Sequence, residues 1–148
     1  MKIVAGLVFD DSRLRDALRV LGPSARKAAH KALYREGERI MARSKDEFVP
    51  VDLGALKSTG HVSFPKDVAG VVEVTLGYGG PAGPGVQTRD GKDWVGYAVI
   101  VHEDLTARHP VGGAKYLERP VLEAMSGMES RLADDLWEEM ETLLERAI

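Results

Sequence analysis

Hydrophobic positions along this chain change period several times, and each change marks an element. Near the start, Lys2 to Phe9 places Ile3, Leu7 and Phe9 on one face, which predicts a strand. Asp10, Asp11 or Ser12 then offers a cap for a short helix in which Leu14, Leu18 and Leu21 recur near helical spacing. Gly22-Pro23-Ser24 interrupts it. A longer helix follows from about Pro23 to Phe48, with small and apolar residues at Ala25, Ala28, Ala29, Ala32, Leu33, Gly37, Ile40 and Met41. Side chains this small let another element approach closely. Val49-Pro50 should stop the helix, because proline disfavours helical geometry in its predecessor and has no N–H. Asp52 is placed to cap a short turn from Leu53 to Leu56.

The period then falls to two. His61 to Phe64 and Val71 to Leu76 predict a hairpin around Pro65-Lys66-Asp67, with Val72, Val74 and Leu76 alternating against Val71, Glu73 and Thr75. Gly77 to Asp93 carries six glycines and two prolines and reads as a long flexible loop. Tyr97 to Val101 is apolar on both faces, as a central strand would be. The last helix is expected from Gly113 or Ala114 towards the end. Its stripe is Leu117, Val121, Met125, Met128, Leu132, Leu136, Met140 and Leu143, with Ser126-Gly127 placed to kink it. The sum is one α+β domain over 1–148: a small, mainly antiparallel sheet packed with two long helices.

Composition narrows the class without changing the outline. A chain of 148 residues that is 44% hydrophobic and 29% charged suits one globular domain. With no cysteine it has no disulfide, thiolate metal site or Cys nucleophile. The opening MKIVAGLVFDD lacks the pattern of a signal peptide, and no apolar run reaches the length of a membrane span, so a soluble protein without membrane contact is expected.

Net charge is −3, but it is unevenly spread. Arg13 to Lys57 holds eleven Lys/Arg against six Asp/Glu, whereas Glu129 to Ile148 holds seven acidic residues against Arg131 and Arg146. Lys27, Lys31, Arg35, Arg39 and Arg43 step by four and lie along one side of a helix. Asp134, Glu138, Glu141 and Glu145 form an acidic row on the last helix. A solvated surface is the plain reading of each row. The sharper reading is head-to-tail packing, in which one subunit's row meets the other row of its neighbour and a ring closes. An alternative is a nucleic-acid-binding module using the Lys27–Arg43 face, against the overall acidic charge.

Candidate chemistry is thin. His102, Glu103, Asp104 and His109 could suggest a metal-dependent hydrolase, but the histidines are seven apart across a strand end and a loop, unlike a zincin helix. Neighbours on a strand point to opposite faces, so His102 and Glu103 should diverge, and the simpler role is a strand end whose polar groups cap the next turn or meet a neighbouring subunit. Gly85 to Asp93 misses the spacing of a P-loop, and Gly77 to Gly83 misses the dinucleotide fingerprint. No serine sits in a nucleophile elbow. Trp94 and Trp137 are isolated, with core or subunit packing the default for Trp137. No catalytic residue, metal ligand or cofactor is therefore assigned.

The order of motifs is more specific. A long helix leads to Val49-Pro50-Val51-Asp52-Leu53-Gly54-Ala55-Leu56-Lys57-Ser58, then hairpin strands, then Y-x-x-x-V-H-E from Tyr97 to Glu103, then G-G-x-K-Y-L-E-R-P from Gly112 to Pro120. From about Ala25 to Ala124 this resembles the neck, or minor tail-component, proteins of tailed bacteriophages, also called tail-completion or minor capsid proteins. The resemblance implies a non-enzymatic virion protein, made in the host cytoplasm, whose copies form a ring at the head-to-tail junction through which DNA passes. A hexamer is favoured over a dodecamer by analogy. The implied partners are head-closure or adaptor proteins, tail-terminator or tail-tube proteins and, transiently, the genome. The loop at 77–93 varies within that family and inherits no role from it.

Overall fold

The computed structural model describes residues 12–50, 54–79, 102–106 and 112–146. The expected strand at 2–9, most of the 77–93 loop, the strand at 97–101 and His109 lie outside them. Helix α1 spans Ser12–Arg43 but is broken at Gly22, whose φ of 72° and ψ of −159° belong to no helix. Pro23 follows at the first position of the second part, where a missing N–H breaks no helical bond. Past Arg43 the chain widens into a π-helical turn, Ser44–Phe48, closed by the Val49 N–H donating to the Ser44 carbonyl at 2.8 Å. Val49 is extended, as a residue before proline should be.

Short helix α2, Ala55–Thr59, begins later than the sequence suggests. Gly54, in a left-handed conformation, precedes it in place of a side-chain cap, and Asp52 is outside the described residues. Strands β1 (His61–Val62), β2 (Lys66–Val68), β3 (Val71–Glu73) and β4 (Leu76–Gly77) then form one antiparallel hairpin in two ladders, β1 on β4 and β2 on β3. The turn is Ala69-Gly70, not Pro65-Lys66-Asp67. Both turn residues have positive φ, 50° and 81°, the geometry that matches strand twist in a two-residue loop. Lys66 and Asp67 pair with Glu73 and Val72 instead. Between the ladders, residues 63–65 face only 74–75, so the hairpin is bulged. Pro65, with no N–H to offer a ladder, lies in that bulge.

The hairpin lies on α1. At Gly37 a Cβ would sit 3.0 Å from Val62 and 3.2 Å from Val74, so the small residue expected to allow close approach does so here. Tyr34 and Phe64 stack with centroids 6.0 Å apart. Asp67 reaches back to Arg26 at 3.3 Å and to His30 at 3.1 Å, the latter too poorly aligned for a hydrogen bond.

The last helix is two. Helix α3 is Glu118–Met125 and α4 is Met128–Glu145, separated at Gly127 with φ 74°. Its start is delayed from Gly113 to Glu118 because Lys115 adopts a φ of 59°. The break re-phases the apolar stripe: Met125 is exposed, whereas Met128 restarts the buried face. Ile40, Met41, Val49, Leu56, Leu76, Tyr78, Tyr116, Leu117, Val121 and Met128 make the core. Burying a side chain of this size contributes about 1.5–3 kcal/mol. The fold is α+β, as expected. No helix among the described residues is long and apolar enough to cross a membrane.

Candidate functional site

Segments far apart in sequence converge on Tyr116. The Lys115 N–H donates to the His102 carbonyl at 2.7 Å, and the Gly113 N–H donates to the Phe48 carbonyl at 3.0 Å. The Tyr116 ring is fully buried edge-on to two others, with centroids 4.9 Å from Tyr78 and 5.0 Å from His102. Ser44 joins the group from the π-helical turn. Its hydroxyl donates to the Tyr116 carbonyl at 2.6 Å and is 2.8 Å from the Tyr78 hydroxyl. Ser44 points inward because it lies four and three residues beyond Ile40 and Met41 on the buried face of α1.

His102 and Glu103 do not diverge. Both have helical rather than strand backbone, and His102 Nδ1 lies 2.7 Å from Glu103 Oε1. Glu103 also takes Lys115 Nζ at 2.6 Å. The hydrogen bond from Lys115, and then that of His102, hold the Glu103 carboxyl below its ordinary range. Asp104 caps the next turn through the Thr106 N–H at 2.9 Å. Among the described residues, no three His, Asp or Glu side chains gather closely enough to hold a metal ion.

Burial pushes the Tyr78 hydroxyl up to about 12. A raised folded-state value favours the protonated fold, so this contribution is complete below the unfolded value of about 10 and is lost as pH climbs towards about 12. Urea midpoints measured from pH 9 to 12 should therefore fall more steeply for the wild type than for Tyr78→Phe. Parallel curves would mean that Tyr78 reaches water.

The basic row meets carboxylates of its own chain. Antiparallel to α1, helix α4 presents Glu139 to Lys31 at 2.6 Å, and Asp135, Glu138 and Glu139 to Arg35. Arg39 grips Asp135 with two nitrogens, at 2.6 and 3.0 Å, and reaches Glu36 at 3.0 Å. Glu36, 2% exposed, is also held by the Arg131 guanidinium. Arg43 pairs with Glu123 of α3 at 2.6 Å and Glu47 at 3.1 Å. Lys27 is exposed and forms no ion pair among the described residues. Of the expected row, then, four members form a seam of ion pairs within the chain, each with its side chain still half exposed. A DNA backbone would have to displace those carboxylates.

The acidic row has a different fate. Asp134, Glu141 and Glu145 stay exposed on the outer side of α4, and Glu138 touches Arg35 only at the edge, at 3.3 Å. The seam instead uses Asp135 and Glu139, which are buried. Sequence reading missed these two, along with Glu36, Tyr78 and Tyr116. The signal available was a four-residue step, Asp135 to Glu139, running beside the row it noticed. Trp137 does not pack inward: it is 68% exposed, and its Nε1 donates to Glu141 at 2.7 Å. Comparison with protein-family models, curated proteins and solved structures finds no match.

Proposed function

We propose that this chain is a structural subunit of the neck of a tailed bacteriophage, forming a ring at the head-to-tail junction and catalysing no reaction. The observation that carries this reading is the convergence on Tyr116. Phe48, beside the first motif, and His102 and Gly113 to Leu117, within the other two, are joined by backbone hydrogen bonds and ring contacts around the buried Tyr116. Such a cluster fixes the relative placement of a helix end, a loop and a helix start. That is the task of a rigid subunit which must repeat one shape around an axis. A hexameric ring is the favoured stoichiometry, with a head-closure or adaptor protein on one side, a tail-terminator or tail-tube protein on the other, and DNA passing through. The location is the virion, after synthesis in the host cytoplasm.

Deleting the gene from the phage that carries it tests the proposal. Filled heads and unattached tails should accumulate, and antibody against the chain should label the neck of wild-type particles. Infectious, fully joined particles made without the chain would refute it.

A further inference from the structure

Two residues make the break between α3 and α4. Ser126 is extended, with φ −66° and ψ 117°, and Gly127 has φ 74°. Arg131 closes this elbow by donating to the carbonyls of Ala124 at 2.6 Å and Ser126 at 3.1 Å while also holding Glu36. The apolar stripe nevertheless runs through the elbow as if it were absent. Met125 and Met128 are three apart and would share one face of a continuous helix, but in the bent form Met125 is 51% exposed and Met128 2%. After Pro120 in the first turn, Gly127 is the only residue up to Glu145 that strongly disfavours a helix. In a straight helix the carbonyls of Ala124 and Ser126 would accept from N–H groups four residues on and release Arg131. The same sequence therefore suits a straight helix as well as the bent pair.

The surface that α4 buries suits exchange. Its carboxylates at Asp135 and Glu139 are buried against α1, while Leu132, Leu136 and Met140 are only partly buried. Carboxylates buried in this way are strongly unfavourable once their cations are withdrawn. A released α4 therefore needs Lys31, Arg35 and Arg39 again, and a second copy offers them at identical spacing. We infer that the elbow straightens and that α4 docks on α1 of a second copy, remaking the same ion pairs between subunits. Resting on the ring proposed above, this exchange supplies its contact. Passed from each copy to the next, the helix joins subunits head to tail, and the series closes when the rotation fits.

Sedimentation velocity and native mass spectrometry of the full-length chain test the exchange. Gly127→Ala removes the glycine from the straight helix, strains the left-handed elbow and sets a Cβ 3.3 Å from Arg131 Nη1. It should strengthen self-association about tenfold or more over the wild type. Mixing then shows where α4 sits. Arg39→Glu and Asp135→Arg each set like charges against one another at the seam, and each alone should melt below the wild type. Refolded together from urea, the two chains should form a complex of equal parts that melts above either alone, because each α1 then meets an α4 of opposite sign. Association of Gly127→Ala no stronger than that of the wild type overturns the exchange. A mixture in which the two variants stay apart also overturns it, and either result leaves the neck reading to be decided by the gene deletion.

Discussion

Arg39→Glu is expected to lower the stability of this fold by about 3 kcal/mol, the low end for breaking a buried ion pair because the guanidinium is half exposed. The new carboxylate would face Glu36 and Asp135, which are 2% and 7% exposed and cannot turn to bulk water. A loss of that size corresponds to a melting temperature lower by roughly 6–12 °C in a chain of this length. Lys27→Glu, twelve residues upstream on the same row but exposed, should change stability by less than about 0.5 kcal/mol. Acid should narrow the gap between wild type and Arg39→Glu. The hydrogen bonds from Arg39 hold Asp135 below the ordinary carboxylate range, so their contribution is complete above about pH 4 and is lost as pH falls through the lowered value. Thermal unfolding of the two variants decides the matter: equal melting temperatures would mean that α1 and α4 do not meet along this seam.

The regular spacing of the basic row was legible in the sequence, but its destination was not. A step of four places Lys31, Arg35 and Arg39 on one side of α1 without saying what that side faces. Position on α4 explains why the acidic row lies outside the seam within the chain, apart from Glu138 at its edge. Asp134 and Asp135 differ by 100° around a helix, so adjacent acids of identical type divide between an exposed and a buried face. Buried charge broke the apolar stripe as well, since Asp135 and Glu139 occupy the inner face of α4 alongside Leu132 and Leu136. What the local sequence conveys is the existence of α1, the end of its helical run, π turn included, at Val49-Pro50, and its interruption at Gly22-Pro23. Both stops follow from backbone chemistry that no tertiary contact can override.

Turns were harder to read for the opposite reason. The hairpin reverses at Ala69-Gly70, and alanine gives no sign that it will accept positive φ. Pro65 looked like the turn because it cannot donate to a ladder, yet a bulge satisfies the same restriction. Lys115 shows the same effect near Tyr116. Its left-handed backbone is held by the hydrogen bond to the His102 carbonyl, a contact across the whole 102–115 segment that local pattern cannot supply.

Gly112→Ala should be at least as damaging as the charge reversal, costing about 4 kcal/mol. Gly112 has φ 76°, where a side chain is strained by about 1–3 kcal/mol. Its added Cβ would also overlap the Phe48 carbonyl oxygen and stand 2.6 Å from both the carbonyl carbon and oxygen of Val49. These are backbone atoms at the end of the π-helical turn, so no rotamer change relieves them, and forced displacement adds about 1–3 kcal/mol more. The neighbouring glycine supplies the control. A Cβ on Gly113 would meet nothing within 4 Å, and alanine there keeps the N–H that binds Phe48. Gly113→Ala should therefore stay within about 0.5 kcal/mol of the wild type. Loss at Gly112 would also separate the loop from Val49 and loosen Tyr116, so its near-ultraviolet circular dichroism should weaken before its helical signal does. Equal unfolding midpoints for the two alanine variants would show that the Gly112-Gly113 loop does not lie against the end of α1, and the cluster around Tyr116 would lose one of its three sides.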